Sequence, residues 1–295
     1  MELRDIEYFG VIAEHGNMRR AAEALGLSPP ALSKSLRRLE TSMEARLAQR
    51  TGKGVRLTPM GEALAAQALR LRLTLQDITR EASDLNHGRS GHLRIGAGPT
   101  DCEWLPAACT RLLAEAPKLR IDITISDNDE LVPLILDGKL DLALNTLPPQ
   151  LEEGVEHIHV LDDQYVAFAS AHHPFTRRRR LALTDLVTQD WTSSTADYRP
   201  KQLLLRVFSE RGLPAPRFVL QTRSVRLRLQ IISASALLGF GTKRMVEKAA
   251  APLGLKVLRV KELALPRTMG VMYRKGAYLP PAATRLIQLI KAAVR

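Results

Sequence analysis

The chain of 295 residues has no long apolar runs, and none approaches the roughly 20 consecutive apolar residues that span a bilayer. It is poor in cysteine. Cys102 and Cys109 are the only two, too few for a disulfide framework and in keeping with a reducing compartment. Seven residues apart on one predicted helix, they sit about 10.5 Å apart along its axis at roughly 1.5 Å per residue, beyond disulfide reach. The pair His172-His173 has no companions at zinc-ligand spacing, and neither a nucleophile elbow nor a phosphate loop appears. Metal and catalytic machinery are therefore not indicated; an enzyme is not expected, and no cofactor is called for. The opening Met1-Glu2-Leu3-Arg4-Asp5 is acidic and amphipathic where a signal peptide needs a basic head and an apolar stretch, which points to the cytoplasm.

What is present is a globular composition, 45% hydrophobic and 25% charged, on a chain too long for one ordinary core. Two or three units are expected. The formal charge of +12 favours polyanionic partners through counterion release. Membrane surfaces and acidic proteins also suit a basic protein, so the distribution of the charge has to decide.

Residues 3 to 14 place Leu3, Ile6, Phe9, Val11, Ile12 and Ala13 at helical spacing between charged residues. Gly16 stops this helix, Asn17 caps the next, and Ala21, Ala22 and Leu25 give it a close-packing face. After Gly26-Leu27, Ser28 is an N-cap and Pro29-Pro30 occupy a first turn, where a missing amide costs little. In this third helix Leu32, Leu36 and Leu39 share a buried face, leaving Ser33, Lys34, Arg37 and Arg38 on a polar, basic one. Arg50, Lys53 and Arg56 around Gly52 and Gly54 predict a basic hairpin, or wing. From Ser28 to Thr58 seven positive residues face only Glu40 and Glu44, so the charge clusters here.

Thr58-Pro59 reads as the cap and first residue of a long helix carrying Leu64, Ala68, Leu71, Leu75, Ile78, Ala82 and Leu85 at alternating steps of four and three. Such a stripe predicts pairing with a partner helix; the rival reading is an amphipathic helix lying on its own domain. His87-Gly88-Arg89-Ser90-Gly91 has the composition of a hinge. Strands at Leu93–Gly96, Ile121–Ile125 and Leu140–Leu144 then alternate with helices at Glu103–Ala116 and Glu130–Asp137, the pattern of a parallel sheet. The alternation continues from a strand at Gln164–Ser170 and ends with Met269–Tyr273 and a helix from Pro281, giving two α/β lobes joined by crossing strands.

The N-terminal residues Leu3, Phe9, Ala21-Ala22, Leu25, Ser28, Pro30-Ala31-Leu32-Ser33, Leu39-Glu40, Leu47, Arg50-Thr51, Leu57-Thr58-Pro59 and Gly61, in this order and spacing, resemble the signature of LysR-type transcriptional regulators. Further on, Leu93-Arg94-Ile95-Gly96, Leu105-Pro106, Gly138-Lys139-Leu140-Asp141, His173-Pro174 and Gly212-Leu213-Pro214 resemble that family's effector domain, similar to periplasmic binding proteins. The resemblance implies a winged helix-turn-helix at 1–58, a linker and dimerisation helix with hinge at 59–89, and an effector-binding domain at 90–295. Its lobe I takes in about 90–161 and 267–295, and lobe II about 162–266. It further implies promoter DNA, a small-molecule effector, and a homodimer or homotetramer as partners, with RNA polymerase as a further candidate.

Under that resemblance Ser28, Ser33, Lys34, Arg37 and Arg38 are candidates for the DNA major groove, with Arg50, Lys53 and Arg56 on phosphates or the minor groove. Thr100 and Asn128 match effector positions, although Thr100-Asp101-Cys102-Glu103 also reads as a capping box and Asn128 as a cap. Ser193, Ser194, Thr195 and Thr222 are candidates from the other lobe. Pro29 stands where the family usually has Gln, Ala48 where an aromatic is usual, and Asn17-Met18 where Ser-Phe is common. Ser235-Ala236-Leu237 replaces a Gly-x-Gly turn near the cleft. Rival functions are an orphan or architectural DNA-binding regulator, a catalytic or transport binding protein with an accessory DNA module, and a redox-responsive regulator using Cys102 near a helix start. The run of arginines at 177–180 reads as a solvated loop, the rival reading being an extension of the basic surface toward DNA. Asp101, Asp127, Asp129 and Glu130 crowd the two predicted helix starts and would repel a carboxylate unless Arg199, Arg223 or Arg226 approaches from the other lobe, so the expected effector is polar and neutral or zwitterionic.

Overall fold

The computed structural model describes residues 2–52, 54–87, 91–194 and 199–294, and divides into two compact units at Gly88/Arg89. Residues 88–90 of the expected hinge lie outside the described residues.

The first unit comprises α1 (Leu3–His15), α2 (Met18–Ala24), α3 (Pro29–Ser42), a hairpin of β1 (Ala48–Thr51) and β2 (Gly54–Leu57), and α4 (Pro59–His87). The polar punctuation acts where the sequence puts it. Asn17 Oδ1 accepts from the Arg19 and Arg20 amides, Ser28 Oγ from Ala31, and Thr58 Oγ1 from Gly61. Ile12, Ala21, Ala22 and Leu32 form one fully buried cluster, and Phe9, Leu39 and Leu47 another, with Leu36 touching both. Two glycines fix the wing. Gly54 has φ +134°, and a Cβ there would strike the Gly16 carbonyl, while one on Gly61 would strike that of Leu47. Buried Glu40 adds a strut, its Oε1 accepting from the Leu47 amide at 2.9 Å.

Helix α4 begins on its own domain: Leu64 packs against the Phe9 cluster, Ala68 is buried close to Gly10, and Arg72 pairs with Glu14 at 2.9 Å. Leu64 and Ala68, expected in a seam between chains, are therefore occupied within the domain, because Gly10 lets α4 approach α1. Further along, Leu71 and Leu75 are half-buried and Ile78 is 57% exposed. The side chain of Leu85 lies outside the described residues.

The second unit runs β3 (His92–Ala97), α5 (Leu105–Glu115), β4 (Arg120–Ile125), α6 (Asn128–Leu136), β5 (Leu142–Thr146), β6 (Val155–Ser170), β7 (Asp190–Ser193), α7 (Arg199–Ser209), β8 (Arg217–Gln221), α8 (Val225–Ser233), β9 (Gly239–Thr242), α9 (Lys243–Leu253), β10 (Leu255–Val257), β11 (Leu265–Arg274) and α10 (Pro281–Val294). Its main sheet has the order β10-β6-β11-β5-β3-β4, with β9 also on β6; β7 and β8 form a separate parallel pair. The strand expected from Gln164 is the second half of a 16-residue strand. Its first half was not legible because Glu156–Asp163 mixes charged and imidazole residues with apolar ones. That half pairs with β11 and the second half with β9 and β10, so β6 and β11 tie the two lobes together. One lobe packs α5 and α10 on β3 and β5, and the other packs around Trp191, Phe208 and Phe240.

Candidate functional site

In the first unit, Lys34 and Arg37 are exposed on α3 and pair with no described residue. Ser28 is exposed at the start of the same helix, and Ser33 is half-buried beside Lys34. Arg56 is exposed on β2; the Arg50 side chain and all of Lys53 lie outside the described residues. Arg38 departs from expectation. Its guanidinium turns inward, Nε donating to Asp5 Oδ2 at 2.8 Å and Nη2 to Oδ1, while Ser35 Oγ donates to the same carboxylate at 2.6 Å. Asp5 is fully buried, so its charge is tolerable only because these donors replace water. The bond from Arg38 is the chief reason its pKa falls to about 2, against burial and with help from Ser35 and the Glu2 amide. Arg38 therefore fastens α3 to α1.

In the second unit a cleft of about 570 Å³ opens beside β6. Thr100, Asn145 and Thr146 line it from one lobe, Tyr165 from the crossing strand, and Arg199 and Pro200 from the start of α7. Thr100 is only 8% exposed. The expected capping box at Thr100–Glu103 does not form: the turn at Cys102–Trp104 has no side-chain cap, and Asp101 is drawn into a buried ion pair with Arg267. Burial works against the Arg267 charge, but Asp101, Tyr165 and Asp163 outweigh it, so its pKa rises. The N-cap position of α6 is held by Asp127, not Asn128, and its side chain makes no capping hydrogen bond. Asn128 lies one residue inside, where Nδ2 donates to the Thr146 carbonyl at 2.7 Å. The Thr146 hydroxyl lies 3.3 Å from that of Tyr165.

Of the candidates from the other lobe, Thr195 lies outside the described residues, and Ser193, Ser194 and Thr222 do not line the cleft. Ser193 and Ser194 are buried at the end of β7, and Thr222 Oγ1 accepts from the Ser224 amide in the turn into α8. Tyr165 and Arg199, which do line it, carry no motif signal in the sequence.

Residues 3–62 match the family model described as "Bacterial regulatory helix-turn-helix protein, lysR family", and residues 86–295 match "LysR substrate binding domain". The chain belongs to the LysR family. It is a DNA-binding transcriptional regulator that responds to an effector, and not an enzyme. The LysR chain is similar to the regulator GbpR of Azospirillum brasilense, 25% identical over 296 residues, covering 99% of this chain and 86% of that protein. It is likewise 25% identical over 297 residues to the hydrogen peroxide-inducible genes activator of Haemophilus influenzae, covering 100% and 98%. Full-length OxyR of Pseudomonas aeruginosa has its fold, with a TM-score of 0.69, 22% identity and coverage of 99% and 95%. CbnR complexed with target DNA does too, at 0.59, 21%, 99% and 100%.

The redox reading turns on Cys102. Its Sγ donates to the Pro99 carbonyl at 3.3 Å, and burial, reinforced by Asp101 and Glu103, pushes its pKa up. Burial does the same to Cys109. A reactive sensor thiol needs the opposite, a stabilised thiolate. Among the described residues, no helix of this regulator is long and apolar enough to cross a membrane.

Proposed function

We propose that this LysR regulator places α3 in the major groove of promoter DNA, with Ser28, Ser33, Lys34 and Arg37 on bases and phosphates, and that Arg50, Lys53 and Arg56 of the wing hold the backbone. Lys34 and Arg37, exposed on α3 and paired with no described residue, carry this reading. Arg38 supports the face from behind. Pro29 removes one amide side chain that reads adenine, so specificity falls on its neighbours. Residues 1–58 are assigned to DNA binding, 59–89 to linker and hinge, and 90–295 to effector sensing. Two copies pair through Leu71, Leu75, Ile78, Ala82 and Leu85, the part of the stripe beyond the buried Ala68, and dimers associate as tetramers in the cytoplasm. RNA polymerase is a further partner at the promoter.

The effector is assigned to the cleft beside Thr100 and Asn128, where its binding shifts the balance between lobe arrangements and so the spacing of the paired DNA-binding units. Sequencing genomic fragments captured by the full-length protein tests the assignment. Enrichment of sites with two related halves, lost in a Lys34→Ala/Arg37→Ala variant, supports it; equal capture by the variant refutes the DNA face.

A further inference from the structure

The cleft's walls differ in hydrogen-bonding sense. At the start of α6, the half-buried Asp127 carboxylate makes no side-chain hydrogen bond or ion pair with a described residue, and it does not cap its own helix. Burial, the largest influence, pushes its pKa up, while Arg223 opposes. Asn128 has committed its amide nitrogen to the Thr146 carbonyl, and the reverse orientation would set two oxygens 2.7 Å apart. Asn128 Oδ1 is therefore an acceptor; it is buried and lacks a partner among the described residues. Thr100, more than nine-tenths buried, lines the same space, and its hydroxyl bonds to no described residue. This wall asks for N–H or O–H donors and for positive charge.

The α7 wall is the converse. Arg199 brings donors and a positive charge, pairs with no described residue, and is followed by Pro200, which has no amide to offer. Val132, Leu151 and Met272 add apolar surface to the lining. An anion at the α6 start would gain exposed amides but would meet the Asp127 and Asp129 carboxylates at once.

We infer that the effector is a zwitterion with an apolar side chain, of the α-amino acid class, its protonated amine on Asp127 and Asn128 Oδ1 and its carboxylate toward Arg199. The inference rests on the cleft being the effector site. Full-length protein is titrated calorimetrically with phenylalanine and leucine, with the matching acids lacking the amine, 3-phenylpropanoate and 4-methylpentanoate, and with phenethylamine. An amino acid is expected to bind roughly ten- to a hundredfold more tightly than its amine-free counterpart, the range for a charge-assisted hydrogen bond. Asp127→Asn should remove that advantage without weakening the amine-free acids. Because the Asp127 side chain does not cap α6, the variant should fold; Asp127→Ser, which keeps a capping residue, serves as a second form. Thr100→Val separates the two levels of the argument. If the amine-free acids bind better and Thr100→Val weakens them, the ligand class is wrong and the cleft stands. If binding ignores both Thr100→Val and Asp127→Asn, the cleft falls too, and silence from all five compounds overturns the inference.

Discussion

Replacing Arg38 by Ala discriminates between a DNA contact and an internal strut. Removing the guanidinium leaves the buried Asp5 carboxylate with Ser35 Oγ and the Glu2 amide as its remaining partners. The fall of the Asp5 pKa from 3.8 to about 2 is worth roughly 2 kcal/mol at neutral pH, at about 1.4 kcal/mol per unit. The Arg38 side chain is 43% exposed, so water compensates part of the loss, and ~1 kcal/mol is the expected cost. For a unit of this size that lowers the melting temperature by roughly 4–8 °C, readable by calorimetry as a shift of the N-terminal transition. The sign with pH is fixed by the lowered pKa. The contribution is full above the unfolded carboxylate value near 3.8 and disappears as pH falls toward 2, so wild type and variant should converge there. At temperatures where the variant is folded, the salt dependence of DNA binding should match wild type. A flattened salt slope with an unchanged melting transition would refute the strut.

Arg37→Ala and Lys34→Ala should each leave melting unchanged and reduce the slope of log affinity against log salt by about 0.9 per phosphate released, measured by fluorescence anisotropy. A slope equal to wild type removes that residue from the interface. Ile78→Glu should dissociate the chains in light scattering without altering the N-terminal transition, since Ile78 is exposed within one chain; persistence of the oligomer would move the dimer seam elsewhere. Cys102→Ser should leave DNA binding and its response to peroxide unchanged in a gel-shift titration, because burial disfavours the thiolate. A peroxide response lost in that variant would restore the redox reading.

Much of the first unit was legible because caps, turns and apolar spacing act locally: Asn17, Ser28 and Thr58 cap where they stand, and Leu32 and Leu39 face inward. The linker stripe shows the limit of periodicity. Spacing marks a helix face for burial without naming what buries it, and here Gly10 lets α1 take Leu64 and Ala68. In the second unit the strand-helix alternation was readable, but half of β6 was hidden by its polar residues. The cleft was read in part. Thr100 and Asn128 line it, whereas the hydroxyl-rich Ser193-Ser194 does not, because a short side chain at a strand's end serves a core as readily as a ligand.

Charge pairing over long sequence separations was the hardest feature to read. Asp101 meets Arg267 166 residues away, and Asp5 meets Arg38 33 residues away. Read one at a time, such carboxylates count as surface or cleft charge. In the fold, Asp101 belongs to Arg267, and Glu130 is held by Ser126 and by Arg223 at 3.3 Å. The four carboxylates expected to crowd the two helix starts thus reduce to Asp127, half-buried and paired with no described residue, and the exposed Asp129. This changes the physics of recognition. A diffuse acidic surface is screened by salt over roughly 8 Å at physiological strength, whereas a half-buried carboxylate in contact with its ligand is screened much less. Effector affinity should therefore change by less than about threefold between 50 and 300 mM salt, while DNA affinity falls by orders of magnitude. Calorimetric titrations at the two salt concentrations measure this, and an effector affinity that falls as steeply as DNA binding would return recognition to the diffuse field of the surface.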